Sequence, residues 1–149
     1  GGLTVPGRAY EIARQGLALR LPEIDADAGA LGLAAFGRYV SGCGGNESTR
    51  SQVAQLARML PEVDAAGRVD PLGWFFATLA MREAGGAPWT AWSTALRERL
   101  LPVFVLSDGR AHVPAERVRF AASAGGDVFA TSVAIIDLQA PYRYIPLAR

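Results

Sequence analysis

The sequence predicts an all-α fold of six helices in three hairpins, interrupted by one long irregular loop. Three observations carry that prediction. Apolar residues recur at helical spacing through most of the chain. Stretches with a single apolar stripe alternate with stretches that are apolar all round, as when one layer of helices shields another. Glycine and proline clusters separate these stretches where helices should stop and start. Half of the 149 residues are hydrophobic, ample for one core, and the chain reads as a single domain over residues 1–149.

Tyr10, Ala13, Leu17 and Leu21, with Arg8, Glu11, Arg14 and Gln15 between them, mark an amphipathic helix over about 6–20, closed by Pro22. Asp25 or Asp27 caps a second helix through about Val40. Arg38 is its only charge past the first turn, so it is a buried helix. After the break at Gly42-Cys43-Gly44-Gly45, Asn46 or Ser48 caps a third, with Val53, Leu56, Ala57 and Leu60 as its stripe. A loop over 61–69 leads to the stretch around which the rest is organised. Asp70 is a good N-cap, Pro71 suits a first helical turn, the next dozen residues are apolar on nearly every face, and Gly85-Gly86 supply a stop. Pro88 opens the partner helix, which runs to about Leu101 with Trp89, Trp92, Leu96 and Leu100 on one side and Thr90, Arg97 and Glu98 on the other.

Residues 102–123 lack the helical period. Val103-Phe104-Val105-Leu106 and residues 110–113 flank Ser107-Asp108-Gly109 as the arms of a short β-hairpin would, and Val118 and Phe120 alternate with arginines as in extended chain. Gly125-Gly126-Asp127 reopens the helical pattern. Val128, Phe129, Val133, Ala134, Ile135, Ile136 and Leu138 form a last, nearly all-apolar helix that Pro141 should end. Phe76-Ala77-Thr78 recurs as Phe129-Ala130-Thr131 in the same structural slot, which supports an internal repeat.

Composition removes several classes of function. A net charge of +1 gives no electrostatic case for nucleic acid or an anionic membrane. All fifteen basic residues are arginine, so Schiff-base chemistry and a P-loop lysine are excluded. A single cysteine rules out an internal disulfide. No apolar run approaches the ~18 residues of a transmembrane helix. The chain begins Gly-Gly rather than Met, and an exported mature protein is one expectation from that start.

Trp74-Phe75-Phe76-Ala77-Thr78, then Gly85-Gly86, Trp89 and Trp92, resemble the recurring hairpin of the prenyltransferase and squalene-oxidase repeat, the α/α toroid. The run Gly125-Gly126-Asp127-Val128-Phe129-Ala130-Thr131, followed by Tyr142-Arg143-Tyr144-Ile145-Pro146-Leu147, is similar to the C-terminal end of bacterial toroid proteins of unassigned activity. The resemblance covers about residues 28–147. It implies inner and outer helices alternating around a barrel whose mouth holds a substrate or partner, with this chain forming about half of a ring. The family's repeats usually carry Gln, two residues, then Asp-Gly-Ser-Trp. Here Asp108-Gly109 is present, Val105 stands in place of the Gln and Ala111 in place of the Trp, and Pro141 sits where an aromatic is more usual.

Each chemistry of that family fails on its residues. Terpene cyclases use Asp-x-Asp-Asp, whose crowded carboxyls keep one proton; Asp25-Ala26-Asp27-Ala28 lacks the third acid and sits where a helix cap is needed. The zinc site of protein prenyltransferases takes Asp, Cys and His, but Cys43 and His112 lie in no ligand-spaced cluster and Ser41 replaces the aspartate. Thioester proteins carry Gly-Cys-Gly-Glu-Gln; in Gly42-Cys43-Gly44-Gly45-Asn46 the side chain at 46 is one methylene short, and a helix C-cap explains the glycines better. His112, the only histidine, lies in the irregular loop without Ser or Asp partners at any telling spacing. No catalytic residue, metal or cofactor is therefore assigned.

The reading that follows is a non-catalytic interaction or assembly module on a toroid scaffold, working as a homo-oligomer or as a subunit of a larger assembly. The alternative is an enzyme or carrier for an apolar, isoprenoid-like small molecule, with Trp74, Phe75, Phe129 and Tyr144 as ligand-binding candidates; Phe76, Trp89 and Trp92 belong to the same aromatic set, and aromatics at helical spacing are more often core. Asp137, inside the last apolar helix, should need a partner such as Arg143 or Arg38. The final helix lacks a polar stripe, so a second copy should cover it unless the 102–123 loop and the 142–147 tail fold back as a cap.

Overall fold

The computed structural model describes residues 7–9, 11, 12, 15 and 27–143. The helix expected over 6–20 lies mostly outside them; its described residues are helical. The architecture is all-α with one small hairpin. In order come α1 (Ala28–Val40), α2 (Glu47–Leu56), α3 (Pro71–Ala84), α4 (Gly86–Leu100), the antiparallel pair β1 (Val105–Ser107) and β2 (Arg110–His112), the short α5 (Ala121–Ala124) and α6 (Gly126–Arg143). Single 3-10 turns fill Leu101–Val103 and Ala115–Arg117.

Local chemistry sets the boundaries. Asp27 caps α1 by accepting the Ala30 amide at 2.8 Å, and Asp70 caps α3 by accepting the Gly73 amide at 3.0 Å. α1 closes in a Schellman turn: Gly42 takes φ 73°, its amide reaches Tyr39 O, and the Cys43 amide reaches Arg38 O. The glycines around Cys43 therefore serve a helix end. The hairpin turns on Asp108-Gly109, both at positive φ, as a two-residue type I′ turn requires.

Three boundaries differ from the sequence expectation. α2 stops at Leu56, where the Arg58 and Met59 amides tighten into 3-10 bonds to Gln55 and Leu56, and Leu60 is left exposed before Pro61. α4 starts at Gly86, with Pro88 inside its first turn. α6 runs through Pro141 to Arg143. The proline removes only its own N–H, and Arg82 of α3 donates to the Pro141 carbonyl at 2.5 Å, which holds the last turn in place.

α3 is the centre of the packing. It crosses α1 with almost no side chain between them: a Cβ on Gly32 would lie 2.2 Å from the Ala77 nitrogen, and one on Gly29 would lie 2.9 Å from the Gly73 carbonyl. On its other sides Trp74, Leu79 and Met81 join Leu56, Val69, Trp92, Leu96, Leu100, Val113 and Val118 in the core. Each large side chain buried there contributes about 1.5–3 kcal/mol. Residues 61–70 are stitched to the second half of the chain by a bridge between Val69 and Val118 and an ion pair from Arg119 to Asp70 at 2.9 Å. Val118 is extended, as its alternation with arginines suggested, whereas Phe120 turns into the left-handed region at φ 64°. Among the described residues no helix is long and apolar enough to cross a membrane.

Candidate functional site

The unusual chemistry gathers on α6, and three contacts fix this helix in place. At its start the Asp127 carboxylate accepts the Ala115 amide at 2.8 Å, and a turn later the Thr131 hydroxyl accepts the Val113 amide at 2.9 Å. At its end Arg82 holds the Pro141 carbonyl. The 102–123 segment is thereby tied along the start of α6.

Between these anchors the helix is turned inside out. Its buried positions are Ala130, Ala134, Asp137 and Ala140, three methyl groups and an acid. Phe129, Val133 and Leu138 pack half-buried beside them, whereas four bulky residues point away: Val128 is 78% exposed, Tyr142 82%, Ile135 38% and Ile136 43%. Val128, Ile135 and Tyr142 stand two turns apart on one line, with Ser132 and Gln139 between them, so they form a continuous stripe. Ser132 already donates its hydroxyl to the Val128 carbonyl at 2.7 Å, so covering that part of the stripe would not strip its hydroxyl of a partner. The loop that might have capped this helix leaves these side chains in water.

On the inner face, Asp137 is fully buried and neither carboxyl oxygen has a hydrogen-bond partner. The arginine partner expected from the sequence does not reach it: Arg38 has its own buried nitrogen unpartnered, and the Arg143 side chain lies outside the described atoms. Burial pushes the Asp137 carboxyl up to about 7, and the Thr78 hydroxyl pulls the other way as the weaker influence without meeting either oxygen in hydrogen-bond geometry. Thr78 also accepts from the Trp92 indole at 3.0 Å, which leaves its own O–H on the side of the carboxyl. A carboxyl kept neutral needs no counter-ion, which is how the site dispenses with one.

The four aromatic positions singled out as ligand-binding fall in different places. Trp74 is buried beside the α3 cap, Phe75 stacks edge-on with Phe76 at 5.3 Å, and Phe129 packs half-buried against the core. Tyr144 lies outside the described residues. Among the described residues one hollow, of about 160 Å³, lies between α4 and the end of α6, lined by Trp89, Leu96, Arg97, Leu138 and Tyr142. A second, of about 120 Å³, is the polar notch holding Asp27, Glu62, Asp64, Asp70, Arg68 and Arg119, with Trp74 on its wall. A third is an open groove on the outside of α4, lined by Leu60, Ala87, Ala91 and Ala95 among others. The two enclosed ones fall well short of the ~300–1,000 Å³ of ordinary ligand clefts. Among the described residues no three His, Cys, Asp or Glu side chains gather closely enough to hold a metal ion.

Sequence reasoning found the all-apolar character of α6 and singled out Asp137, but missed which face turns outward. The signal was present: the alanines and Asp137 share one side of the helix, and Val128, Ile135 and Tyr142 share the other. No family model matches the chain, and neither a curated protein nor a solved structure matches it. The likeness to the toroid repeat rests on the residue pattern alone.

Proposed function

We propose that this protein is a non-catalytic interaction or assembly module, that its scaffold is an arc of an α/α toroid, and that the outer face of α6 is its contact surface. The observation that carries the reading is the orientation of α6, which buries alanines and presents Val128, Ile135, Ile136 and Tyr142 to water. A helix that spent its larger apolar residues on solvent would forgo about 1.5–3 kcal/mol for each one that burial could cover, comparable in sum with the stability of a whole domain. Contiguous exposed apolar surface of this kind marks an interaction site. The recurrence of Phe-Ala-Thr in α3 and α6, each with a buried alanine and a threonine that accepts a bond from a neighbouring segment (α4 after α3, the Val113 loop before α6), supports the repeat reading.

A second copy of the chain is the partner this reading favours, because an uncharged stripe of one helix is its own complement across a two-fold axis. Light scattering at micromolar concentration tests it. The chain should run above 15.7 kDa, and Ile135→Glu together with Val128→Glu should return it to that mass with unchanged circular dichroism. A parent chain that stays at the monomer mass on concentration overturns self-assembly.

A further inference from the structure

The same helix that presents the contact face holds, on its opposite side, a group it cannot keep charged. We infer that the seating of α6 against α3 is proton-controlled: a neutral Asp137 lets the helix lie in place, and loss of that proton drives its release about Gly125 and Gly126. The inference rests on the assembly reading only for its consequence, since a released helix no longer offers a fixed ridge to a partner.

The geometry supplies each part of the device. Asp137 is fully buried and neither carboxyl oxygen meets a partner in hydrogen-bond geometry, so an ionised form has only the nearby Thr78 hydroxyl in place of water. Pro141 has no N–H to offer the Asp137 backbone carbonyl one turn back, so the helix is already short of a bond at this point. The Arg82 guanidinium is spent on the Pro141 carbonyl, and its Nε is itself buried and unpartnered. Ahead of the helix, Gly125 and Gly126 sit in succession at φ 133° and 65°, backbone states that suit a pivot.

Beside Arg143 at the end of α6 itself, charges stand on most of the described elements packed against it. They are Arg82 and Glu83 on α3; Arg97, Glu98 and Arg99 on α4; Arg110 and His112 on β2; and Glu116 and Arg117 in the 3-10 turn; α5 carries none. On α6 itself Asp127 is occupied by the Ala115 amide. Arg117 donates to the carbonyls of Pro102 and Val103. Among the described residues none of these charges moves the acidity of Asp137, which is set by burial and, more weakly, by Thr78.

The sign follows from the two states. Released into water, the carboxyl ionises at its ordinary value of 3.8, whereas the seated group holds its proton to about 7. Release therefore becomes easier by tenfold per pH unit between those values, about a thousandfold in all, and is flat outside them. Assembly through the outer face is favoured on the acid side of neutrality.

Amide hydrogen exchange on the dilute full chain, corrected for the intrinsic pH dependence, reads the release directly. Between pH 5 and pH 7 the α6 amides should open about fiftyfold more, with an opening free energy and a urea dependence well below those of α1, whose amides report unfolding of the whole domain, and in Asp137→Asn the pH-linked rise should vanish. An α6 profile flat with pH overturns the inference, as do α6 amides with the same opening free energy and urea dependence as those of α1, which would mean that the helix opens only when the whole domain unfolds. If Asp137→Asn does not fold, the contrast between α6 and α1 in the parent chain decides. Light scattering at pH 5 and pH 8 separates the two readings: a pH-dependent α6 in a chain monomeric throughout sustains the switch and removes the assembly, and association with flat exchange does the reverse.

Discussion

Helices α3 and α6 each carry a Phe-Ala-Thr triplet whose alanine is fully buried, yet the two are covered in opposite ways. In α3 the remaining positions face protein on several sides: Trp74, Leu79 and Met81 enter the core, and the Gly73 and Ala77 side meets the backbone of α1. In α6 the alanines are buried with Phe129, Val133 and Leu138 packed beside them, and Val128, Ile135, Ile136 and Tyr142 stand exposed. The lesson concerns what an all-apolar helix means. Its composition says that every face expects cover, and only the packing says which of those faces this chain supplies itself.

The contrast can be broken most forcefully through Asp137. Its unfolded-state value is near 3.9 and its folded value about 7, so between those pH values the unfolded chain sheds a proton that the native one keeps, and stability falls as pH rises. Relative to Asp137→Asn, the parent chain should lose about 4 kcal/mol of unfolding free energy from pH 4 to pH 7.5. Urea titrations across that range check this, and parallel curves for the two chains would show that the carboxyl is not held neutral. Next in size, truncation should separate the two helices. Met81→Ala empties a fully buried site and should cost about 2–5 kcal/mol, whereas Ile136→Ala on the open face of α6 should cost less than about 1 in the monomer. Equal losses would mean that α6 is covered after all. The smallest effect sharpens the likeness instead: Thr78→Val and Thr131→Val each remove one acceptor, for the Trp92 indole and the Val113 amide, and each should cost about 1–3 kcal/mol, with the larger loss at Thr78, which is itself fully buried where Thr131 is half-buried. Chemical denaturation of the two single variants resolves that order.

Much of the fold was legible because it is written in local chemistry. Asp27 and Asp70 cap helices, Gly42 closes one, and Asp108-Gly109 turns a hairpin, each for a reason confined to a few neighbouring residues. The misjudged end at Pro141 depended on a distant partner, Arg82, 59 positions away in sequence from the carbonyl it holds, whereas α2 ended early through 3-10 bonds that its apolar stripe does not reveal. The site was half legible for the same reason. Asp137 was conspicuous as an acid among apolar residues, but whether it met an arginine or stayed neutral is decided by what the third dimension brings near it. The outward stripe needed only the helical period, together with the knowledge that the alanine side is the one that fits against α3.

The crossing of α1 and α3 has a mechanical consequence. Gly29 and Gly32 leave so little room against Gly73 and Ala77 that the two backbones themselves are the contact. Sliding α1 by one turn along its axis would bring Leu33 and Phe36 to the places of Gly29 and Gly32, and neither side chain fits where a single methyl already collides. The pair is a steric ratchet with one permitted tooth. Shear between these helices, a common way for helical proteins to change shape, is closed to this one. The proton-linked movement inferred for α6 would therefore turn against an α1–α3 pair that stays fixed.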